Sequence, residues 1–349
     1  MKYLITQQWD NIKGNHAGFP HICSLLKKSY PKDYIVIECP PVVYKQRNSF
    51  IGKVIGHFID PIILRKKYRE SLMNRCSHMF NQLKDGDDVF LLEYNLPQTS
   101  QLQLAWYIKR NYKNVRVITM THLTPSKLKS LKFDKNKLLK WDKPVDKHIT
   151  LGSSLTNHFI SIGISPNKIS TGFHAVDMDY YHPLAQKEER DRIVIITMGA
   201  IQRDYTMLSE VVKKCPNVDW IICRGKKDVG DLFANMTNVK LVGFVEEDEL
   251  RELMNEADVS LNILEDTIGS NVIVTSMAMG LAMIVSDVGS IRDYCSENNT
   301  LFCKNSVESF VNAVSSLNEK SRLSVMKQAS LDIVKHFSVD KTHEWFSSL

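Results

Sequence analysis

Residues 192–317 alternate short β-branched apolar runs with amphipathic stretches, and this alternation constrains the fold more than any other feature. Short apolar runs between turn residues predict buried strands, and apolar residues spaced three and four apart predict helices. Such a succession predicts a parallel sheet with helices on both faces, with ligands at the carboxyl ends of the strands. The predicted strands are 192–199, 219–225, 239–245, 258–264 and 282–287, and the predicted helices are 204–215, 246–257, 271–280 and 306–317.

The first half of the chain has the same character with less regular turns. We interpret the chain as α/β with two Rossmann-like domains, one over 1–168 and one over 191–330. The polar, irregular segment 169–190 is the predicted interdomain linker. The predicted strands of the first half are 2–8, 34–39, 88–93, 115–122 and 147–154.

Charge is distributed unevenly along the chain. Residues 1–170 contain 27 Lys and Arg against 12 Asp and Glu, and the remainder contains 18 against 27. A basic first half favours an anionic partner such as phospholipid, a phosphorylated acceptor or nucleic acid. A solvated lysine-rich surface is the alternative interpretation.

The sequence predicts a cytoplasmic protein without a membrane span. The first 15 residues lack the apolar core of a signal peptide. The longest apolar stretch, 272–285, is shorter than the roughly 18 residues that a span needs. The seven cysteines form no metal-binding spacing, and their odd number suits a reducing compartment, so we expect neither zinc nor a disulfide framework.

The stretch GSNVIVTSMAMG, residues 269–280, is a candidate phosphate site. A loop that ends in Gly269, Ser270 and Asn271 and enters a helix presents unpaired N–H groups at the positive end of the helix dipole. That arrangement binds anions. Ordinary N-capping by Ser270 or Asn271 is the alternative explanation. Gly280 is a suitable residue to end this helix.

Four motifs, which follow one another along the chain as they do in the family, resemble the GT-B glycosyltransferases, especially the retaining enzymes of glycosyltransferase family 4. The motifs are MGAIQRDYTML (198–208), LVGFVEEDELRELMNEADVSLNI (241–263), GSNVIVTSMAMGLAMIVSD (269–287) and ISTGFHAVDMDYYHP (169–183). The resemblance covers most of residues 145–315. It implies two Rossmann-like domains with parallel sheets that face a central cleft, and a C-terminal helix, 331–349, that returns to the first domain.

The resemblance also implies a donor site in the second domain. Two positions depart from the family, because its paired glutamates fall on Thr267 and Thr275, and a threonine offers only one weaker hydrogen bond to a ribose. Arg203 lies near the expected basic position, alone or with Arg224 or Lys226, and is implied to be catalytic. A surface charge is the alternative role for these three cations. The implied donor-binding residues are Gly18, Gly199, Arg203, Arg224, Lys226, Phe244, Gly269, Ser270, Asn271, Val272 and Thr275.

On the first domain, His122 follows a predicted strand and would face the cleft. A histidine there is commonly structural, but the resemblance implies that it lies near the reaction centre as a catalytic residue. The loop after the first strand resembles the family's small-residue loop near the acceptor and the donor phosphate. It supplies the predicted acceptor-binding residues Gly14, Asn15 and His16. A simple turn is the alternative for its glycines.

Two Asp-x-Asp patterns, at 85–88 and 177–179, resemble the metal signature of another glycosyltransferase fold. We read the first as a turn and the second as part of the interdomain segment, so no metal and no cofactor are expected. The leaving nucleotide would be neutralised by Arg203, neighbouring cations and a helix N-terminus. The nucleotide-sugar, UDP- or GDP-linked, would be a substrate.

Residues 53–70 and 127–141 mix basic and apolar side chains. Both segments suit peripheral contact with an anionic membrane, and core helices with one wet face are the alternative. The favoured function is transfer of a hexose from a nucleotide-sugar to a glycan, lipid-linked, in bacterial surface polysaccharide synthesis, with retention and without metal. An inactive GT-B partner subunit and a nucleotide-sugar 2-epimerase remain alternatives. Nucleic-acid binding is disfavoured, since the lysine-rich segments lack interleaved aromatics.

Overall fold

The computed structural model describes residues 1–9, 15–42, 50–184, 190–199 and 201–349, without the side chains of residues 50–58, 318 and 320. The chain forms two compact units. The first contains Met1–Leu151, Leu155–Gly172 and Trp345–Leu349, and the second contains Gly152–Ser154 and Phe173–Glu344.

The first unit is built on a six-stranded parallel sheet in the order β2-β1-β3-β4-β5-β6. The five predicted strands of this half are all present, in register with their neighbours. The strands are β1 (Lys2–Gln7), β2 (Tyr34–Cys39), β3 (Asp88–Leu91), β4 (Arg116–Thr121), β5 (Lys147–Thr150) and β6 (Ile169–Thr171). The helices are α1 (Phe19–Ser29), α2 (Phe50–Arg75), α3 (Ser77–Gln82), α4 (Gln101–Asn111), α5 (Pro125–Ser130), α6 (Lys135–Asp142) and α7 (Ser153–Ser161).

The second unit has a second six-stranded parallel sheet, in the order β12-β11-β10-β7-β8-β9. Its strands are β7 (Val194–Met198), β8 (Asp219–Cys223), β9 (Val239–Val242), β10 (Val259–Asn262), β11 (Ala282–Ser286) and β12 (Thr300–Cys303). Its helices are α8 (Tyr205–Lys214), α9 (Gly230–Phe233), α10 (Glu247–Glu256), α11 (Asn271–Ala278), α12 (Val307–Ser315), α13 (Lys320–Ile333) and α14 (Val339–Ser348).

The central strands are buried on both faces, as the continuous apolar runs predict. Every residue of β7 and β11 is buried. One core of the second unit collects side chains from strands and covering helices, including Trp220, which is 1% exposed. This burial fixes the positions from which the loops at the carboxyl ends of the strands emerge.

Strands β6 and β12 were not predicted. β6 lies at the start of the predicted linker 169–190, so the first sheet extends three residues into it. It is too short and too polar to give a strand pattern, and it pairs only with β5.

The end of α14 groups with the first unit, although most of the helix groups with the second. The ring of Phe346 packs at 4.8 Å from the ring of Phe90. The indole of Trp345 donates a 2.9 Å hydrogen bond to Ser170 Oγ. A Cβ on Gly172 would stand 2.0 Å from the Trp345 ring, so the indole packs directly on the main chain at that glycine.

The basic segment 127–141 forms α5 and α6, which fits the alternative of core helices with one wet face. Leu128, Phe133 and Leu138 are buried, with Leu128 0% exposed, whereas Leu131 is 39% exposed. Trp141 packs edge-to-face on Tyr94 and Phe133, at 5.1 and 5.2 Å between ring centroids. Among the described residues, no helix combines the length and the hydropathy required to cross a bilayer.

Candidate functional site

In the second sheet, β7 lies between β8 and β10, and the chain leaves these strands toward opposite edges. Such a point, where the strand order reverses, opens a crevice at the carboxyl ends of the strands. The loops after β7 and β10 meet there. The main chains of Arg203 and Leu264 form an antiparallel bridge, and the Glu265 N–H donates to the Gln202 carbonyl at 3.1 Å.

Helix α11 begins at this crevice. Ser270 is its N-cap, with a hydroxyl that accepts a 3.4 Å hydrogen bond from the Ile273 N–H. Gly269 has a φ of +86°, and a Cβ on it would stand 2.1 Å from the Tyr294 ring. Only glycine fits such a position. Ser270 therefore caps the helix, as the alternative explanation predicts. One hydroxyl cannot satisfy all the free N–H groups of this first turn, so others stay available to a ligand.

The carboxyl end of α11 is fixed as well. Gly280, with a φ of +67°, follows the helix, and its N–H donates to the Met277 carbonyl. The Leu281 N–H donates to the Ser276 carbonyl at 3.0 Å. These two bonds form a Schellman motif, which confirms the predicted end of the helix.

Arg203 lies beside the beginning of α11. Its Nε and Nη1 are shielded from solvent and bond to no described residue. A Cβ on Gly199 would stand 3.4 Å from Arg203 Nη2 and 3.5 Å from Val272 Cγ2, so the guanidinium, the glycine and the first turn of α11 are neighbours. Burial lowers the pKa of Arg203 to about 10, against the opposing effect of Tyr205. The group remains a cation at neutral pH.

Asn271 adds a second unsatisfied group at the same turn. Its Oδ1 is shielded from solvent and has no partner among the described residues. An unpaired buried cation and an unpaired buried amide oxygen are both costly. A bound polar ligand that carries negative charge and hydroxyl groups would satisfy both.

The two threonines at the positions of the family glutamates are occupied by local hydrogen bonds. Thr275 Oγ1 donates to the Asn271 carbonyl at 2.8 Å and is 5% exposed as a residue. Thr267 Oγ1 accepts from the Gly269 N–H at 3.0 Å. Neither position offers a carboxylate, and the hydroxyl proton of Thr275 is used by its own helix.

Arg224, Lys226 and Phe244 follow β8 and β9 at the same edge of the sheet. Arg224 Nη1 donates to the Lys227 carbonyl, which fixes the turn after β8. Lys226 Nζ lies 5.3 Å from the centre of the Phe244 ring, which is 53% exposed. An exposed aromatic ring with an ammonium group above it offers a stacking surface to a planar ligand.

In the first unit, His122 comes directly after β4. Burial lowers the pKa of His122 to about 4, although a hydrogen bond with the main chain of Leu92 opposes the shift. The imidazole meets the Phe19 ring edge-on at 5.2 Å. It is therefore neutral at pH 7, and can exchange hydrogen bonds with hydroxyl groups without carrying charge.

The loop before α1 is a tight turn. Asn15 Oδ1 accepts from the Ala17 N–H at 2.7 Å, and the ring of His16 lies 4.4 Å from that of His21. Gly18 is the N-cap of α1, and a Cβ on it would make only ordinary contacts of 3.5 Å or more. Gly18 is thus not required by packing, and the predicted residue Gly14 lies outside the described residues.

Glu93 is a candidate that the sequence analysis missed. It follows β3, and burial raises the pKa of its carboxyl to about 8, although a hydrogen bond with Trp9 opposes the shift. In the sequence it looks like the polar end of the run DVFLLE. The signal that identifies it is a lone carboxyl directly after the apolar run 89–92, at the carboxyl edge of the sheet.

The acidic residues of the Asp-x-Asp patterns have structural partners. Asp87 accepts from the N-terminal amine at 2.9 Å, and the two carboxylate oxygens of Asp88 accept from Arg116 Nε and Nη2. Asp177 Oδ1 accepts from the Asp179 and Tyr180 N–H groups. In the first pattern Asp88 is thus the first residue of β3, after a turn that contains Asp87, and in the second pattern Asp177 caps a local turn.

Two parallel six-stranded sheets of this kind define the GT-B fold, and solved structures with the same fold cover the whole chain. Sucrose-phosphate synthase from Thermosynechococcus elongatus matches with a TM-score of 0.75 and 12% identity, over 100% of this chain and 99% of that one. HepE from Anabaena, in complex with UDP and glucose, matches with a TM-score of 0.68 and 13% identity, over 100% of both chains. The lipopolysaccharide outer core galactosyltransferase WaaB matches with a TM-score of 0.68 and 12% identity, over 100% of both chains. The predicted fold class is confirmed.

The sequence of the second unit gives the family of its domain. Residues 192–320 match the family model Glycosyl transferases group 1, so the chain carries a glycosyltransferase domain. The phosphatidylinositol N-acetylglucosaminyltransferase GPI3 subunit of Saccharomyces cerevisiae is 21% identical over 239 residues, 60% of this chain and 50% of that protein. The chain thus spans about half the length of the curated relatives that it matches.

Proposed function

We propose that the protein transfers a hexose from a nucleotide-sugar to a glycan, lipid-linked, in bacterial surface polysaccharide synthesis. One observation carries the proposal. The guanidinium of Arg203 is unpaired among the described residues and lies against Gly199 and the first turn of α11, at the crevice of the second sheet. A diphosphate at this place would pair with the cation and with the free N–H groups of the helix.

In this proposal the second unit stabilises the leaving nucleotide. Negative charge develops on the diphosphate as the bond to the sugar breaks, and fixed donors that already point at it lower the barrier. The sugar is transferred with retention, and the departing phosphate accepts the proton of the incoming hydroxyl. No metal is needed, so an excess of EDTA is expected to leave the transfer rate unchanged.

The donor is proposed to be a UDP-sugar. HepE has been solved in complexes with UDP and with UDP-glucose, and it shares the fold of this chain over its whole length. The exposed ring of Phe244, beneath Lys226, is the proposed platform for the base. Fold alone does not transfer a substrate from one protein to another, so the nucleotide must be measured.

A thermal-shift screen with UDP, GDP, ADP and CMP tests the proposal. A ligand at 100 times its Kd stabilises a protein by about 2.7 kcal/mol. We expect this stabilisation with UDP in the wild type, its loss in Arg203→Ala, and its retention in Arg190→Ala, which removes an exposed arginine from the same unit. Failure of all four nucleotides to stabilise the wild type would refute the proposed donor site.

An inactive partner subunit is the second candidate, favoured by the replacement of both family glutamates by Thr267 and Thr275. Release of UDP from UDP-glucose separates the two candidates. The enzyme releases UDP in proportion to time and protein concentration. An inactive subunit binds UDP without releasing it from UDP-glucose.

Peripheral contact with an anionic membrane is the further part of the proposal. Helix α2 exposes Ile59 and Ile62, at 42% and 68%, one turn before an exposed basic stretch that includes Arg65, Lys66 and Arg69. Apolar side chains next to cations suit the headgroup layer. Cosedimentation with phosphatidylglycerol vesicles but not phosphatidylcholine vesicles is expected, with reduced binding by Ile62→Ser. Equal recovery with both vesicles would contradict an electrostatic contact.

A further inference from the structure

The first sheet has its own crevice at the carboxyl edge. β1 and β3 are neighbours, and the chain continues from β1 to the edge strand β2 but from β3 toward β4. The strand order therefore reverses between them, as at a ligand-binding switch point. Trp9 follows β1 and Glu93 follows β3, so an indole and a carboxyl come from the two strands that flank this point.

The carboxyl of Glu93 does not hold the turn in which it lies. The Glu93 N–H donates to Gln101 Oε1 at 2.9 Å, and its carbonyl accepts from Thr99 Oγ1 at 3.1 Å. Other side chains thus fix the main chain of this turn. Among the described residues, Glu93 has no cation partner, and the side-chain bond that it makes is with Trp9.

The surrounding backbone is strained. Asn95 and Ser100 have φ values of +62° and +59° and are 2% and 3% exposed. Non-glycine residues in this region cost free energy and persist where the surroundings impose them, which is common at functional sites. A buried carboxyl adds a further cost, because burial raises its pKa to about 8 and so disfavours the ionised form at neutral pH. Asn95 is held by a buried hydrogen bond, because its Oδ1 accepts from Thr121 Oγ1 at 2.6 Å, whereas the Glu93 carboxyl is offset by its bond with Trp9 and by no cation among the described residues.

We propose that Glu93 and Trp9 bind the acceptor saccharide at the switch point of the first sheet, with the Glu93 carboxyl hydrogen-bonded to acceptor hydroxyls. This inference rests on the proposed glycosyl transfer and adds the acceptor-binding residues to it. A sugar presents hydroxyl groups and apolar C–H surfaces together, and a carboxyl beside an indole complements both.

His122 extends this polar edge from the next strand. Its imidazole bonds the main chain of Leu92, the residue before Glu93. The histidine is therefore a positioning residue for the turn that carries Glu93, in addition to any contact of its own with a sugar.

The test uses the full chain and compares Glu93→Gln with Glu70→Gln. Both variants replace a carboxyl by an amide in the same unit, and Glu70 is exposed on α2. Octyl glucoside and octyl galactoside, below their micelle concentrations, serve as acceptor probes. Saturation-transfer NMR measures their Kd, calorimetry measures the Kd of UDP, and thermal unfolding at pH 6 to 9 gives the Tm.

We expect Glu93→Gln to raise the Kd of the better glycoside about tenfold, the equivalent of one lost hydrogen bond of about 1.4 kcal/mol. The UDP Kd is expected to stay within about twofold, since that ligand binds the other unit. The Tm of Glu93→Gln should equal or exceed that of the wild type at pH 8 to 9, because a neutral amide avoids ionisation of a buried carboxyl. Glu70→Gln should resemble the wild type in all three measurements.

Three outcomes would overturn the inference. They are a wild type that binds neither glycoside, an unchanged glycoside Kd in Glu93→Gln, and a Tm of that variant well below both the wild type and Glu70→Gln. Failure of the proposed donor chemistry gives a different result, namely a wild type that does not bind UDP. Glycoside binding is measured without turnover, so the two failures are distinguishable.

Discussion

Arg203 and Gly199 are neighbours, since a Cβ on the glycine would stand in van der Waals contact with the guanidinium, 3.4 Å from Nη2. The glycine directly follows β7, and the arginine lies where the loops after β7 and β10 meet. Residue 199 is a glycine because its φ of +89° disfavours any other residue. The position of the cation at the first turn of α11 is thus set by the backbone of its own loop.

Gly199→Ala is expected to weaken UDP binding about tenfold and to lower the free energy of unfolding by about 1–3 kcal/mol, since alanine is strained at this φ and the loop that carries Arg203 must shift to relieve it. Calorimetry and denaturant unfolding measure the two effects. Gly230→Ala is the control, because a Cβ there meets nothing within 4 Å. An unchanged UDP Kd in Gly199→Ala would show that the contact does not position Arg203.

Arg203→Met is expected to raise the unliganded Tm while abolishing the UDP-induced shift. An unpaired shielded cation destabilises a fold, and an apolar chain of similar length removes that cost. Thermal unfolding with and without UDP checks both parts. A fall in the unliganded Tm would mean that Arg203 serves the fold itself.

Thr275→Val should leave the UDP Kd within about threefold, because the threonine hydroxyl already donates to the Asn271 carbonyl. Loss of that bond should cost about 1 kcal/mol of unfolding free energy. Calorimetry measures the UDP Kd, and denaturant unfolding measures the change in the free energy of unfolding. A loss of tenfold or more in affinity would assign Thr275 a direct contact with the nucleotide.

The neutral state of His122 predicts a stability that falls with acid. The pKa of His122 is lowered to about 4 in the folded chain, below the ordinary value of 6.5 given for a histidine. Unfolded chains therefore bind a proton first, and stability is lost as the pH falls from about 6.5 toward 4.

The full shift corresponds to at most about 3.4 kcal/mol. Denaturant unfolding at pH 7 and pH 4.5 should show a smaller loss of stability in His122→Gln than in the wild type. His182→Gln changes an exposed histidine and should follow the wild type. Equal pH dependence in all three proteins would contradict a buried neutral imidazole at residue 122.

The alternation of strands and helices was sufficient to predict the fold, because buried parallel strands need continuous apolar runs. The site was predictable only in its local parts. The N-cap at Ser270 and the helix end at Gly280 follow from the local sequence, because each depends on that residue and its neighbours in the chain. The absence of any room at Gly269 depends on the Tyr294 ring, which arrives from the loop after β11.

Glu93 shows why the remaining part of the site was missed. Its pKa depends on the enclosure of its side chain and on Trp9, which is distant in sequence and follows another strand. The segment 127–141 shows a related difficulty. Its lysines and apolar residues suit both a membrane-surface helix and a core helix with one wet face, and the packing of Trp141 on Tyr94 shows that part of its apolar face is covered.

The ring of Tyr294 beneath Gly269 also has a consequence for how such a protein can diversify. Any side chain at residue 269 would collide with the Tyr294 ring, so substitution at this position cannot be used to change ligand preference. Lys226 and Phe244 lie on loops with an exposed outer surface, so we expect these two positions to accept other residues. Libraries that aim to alter nucleotide preference should therefore randomise these two positions and leave the glycine invariant.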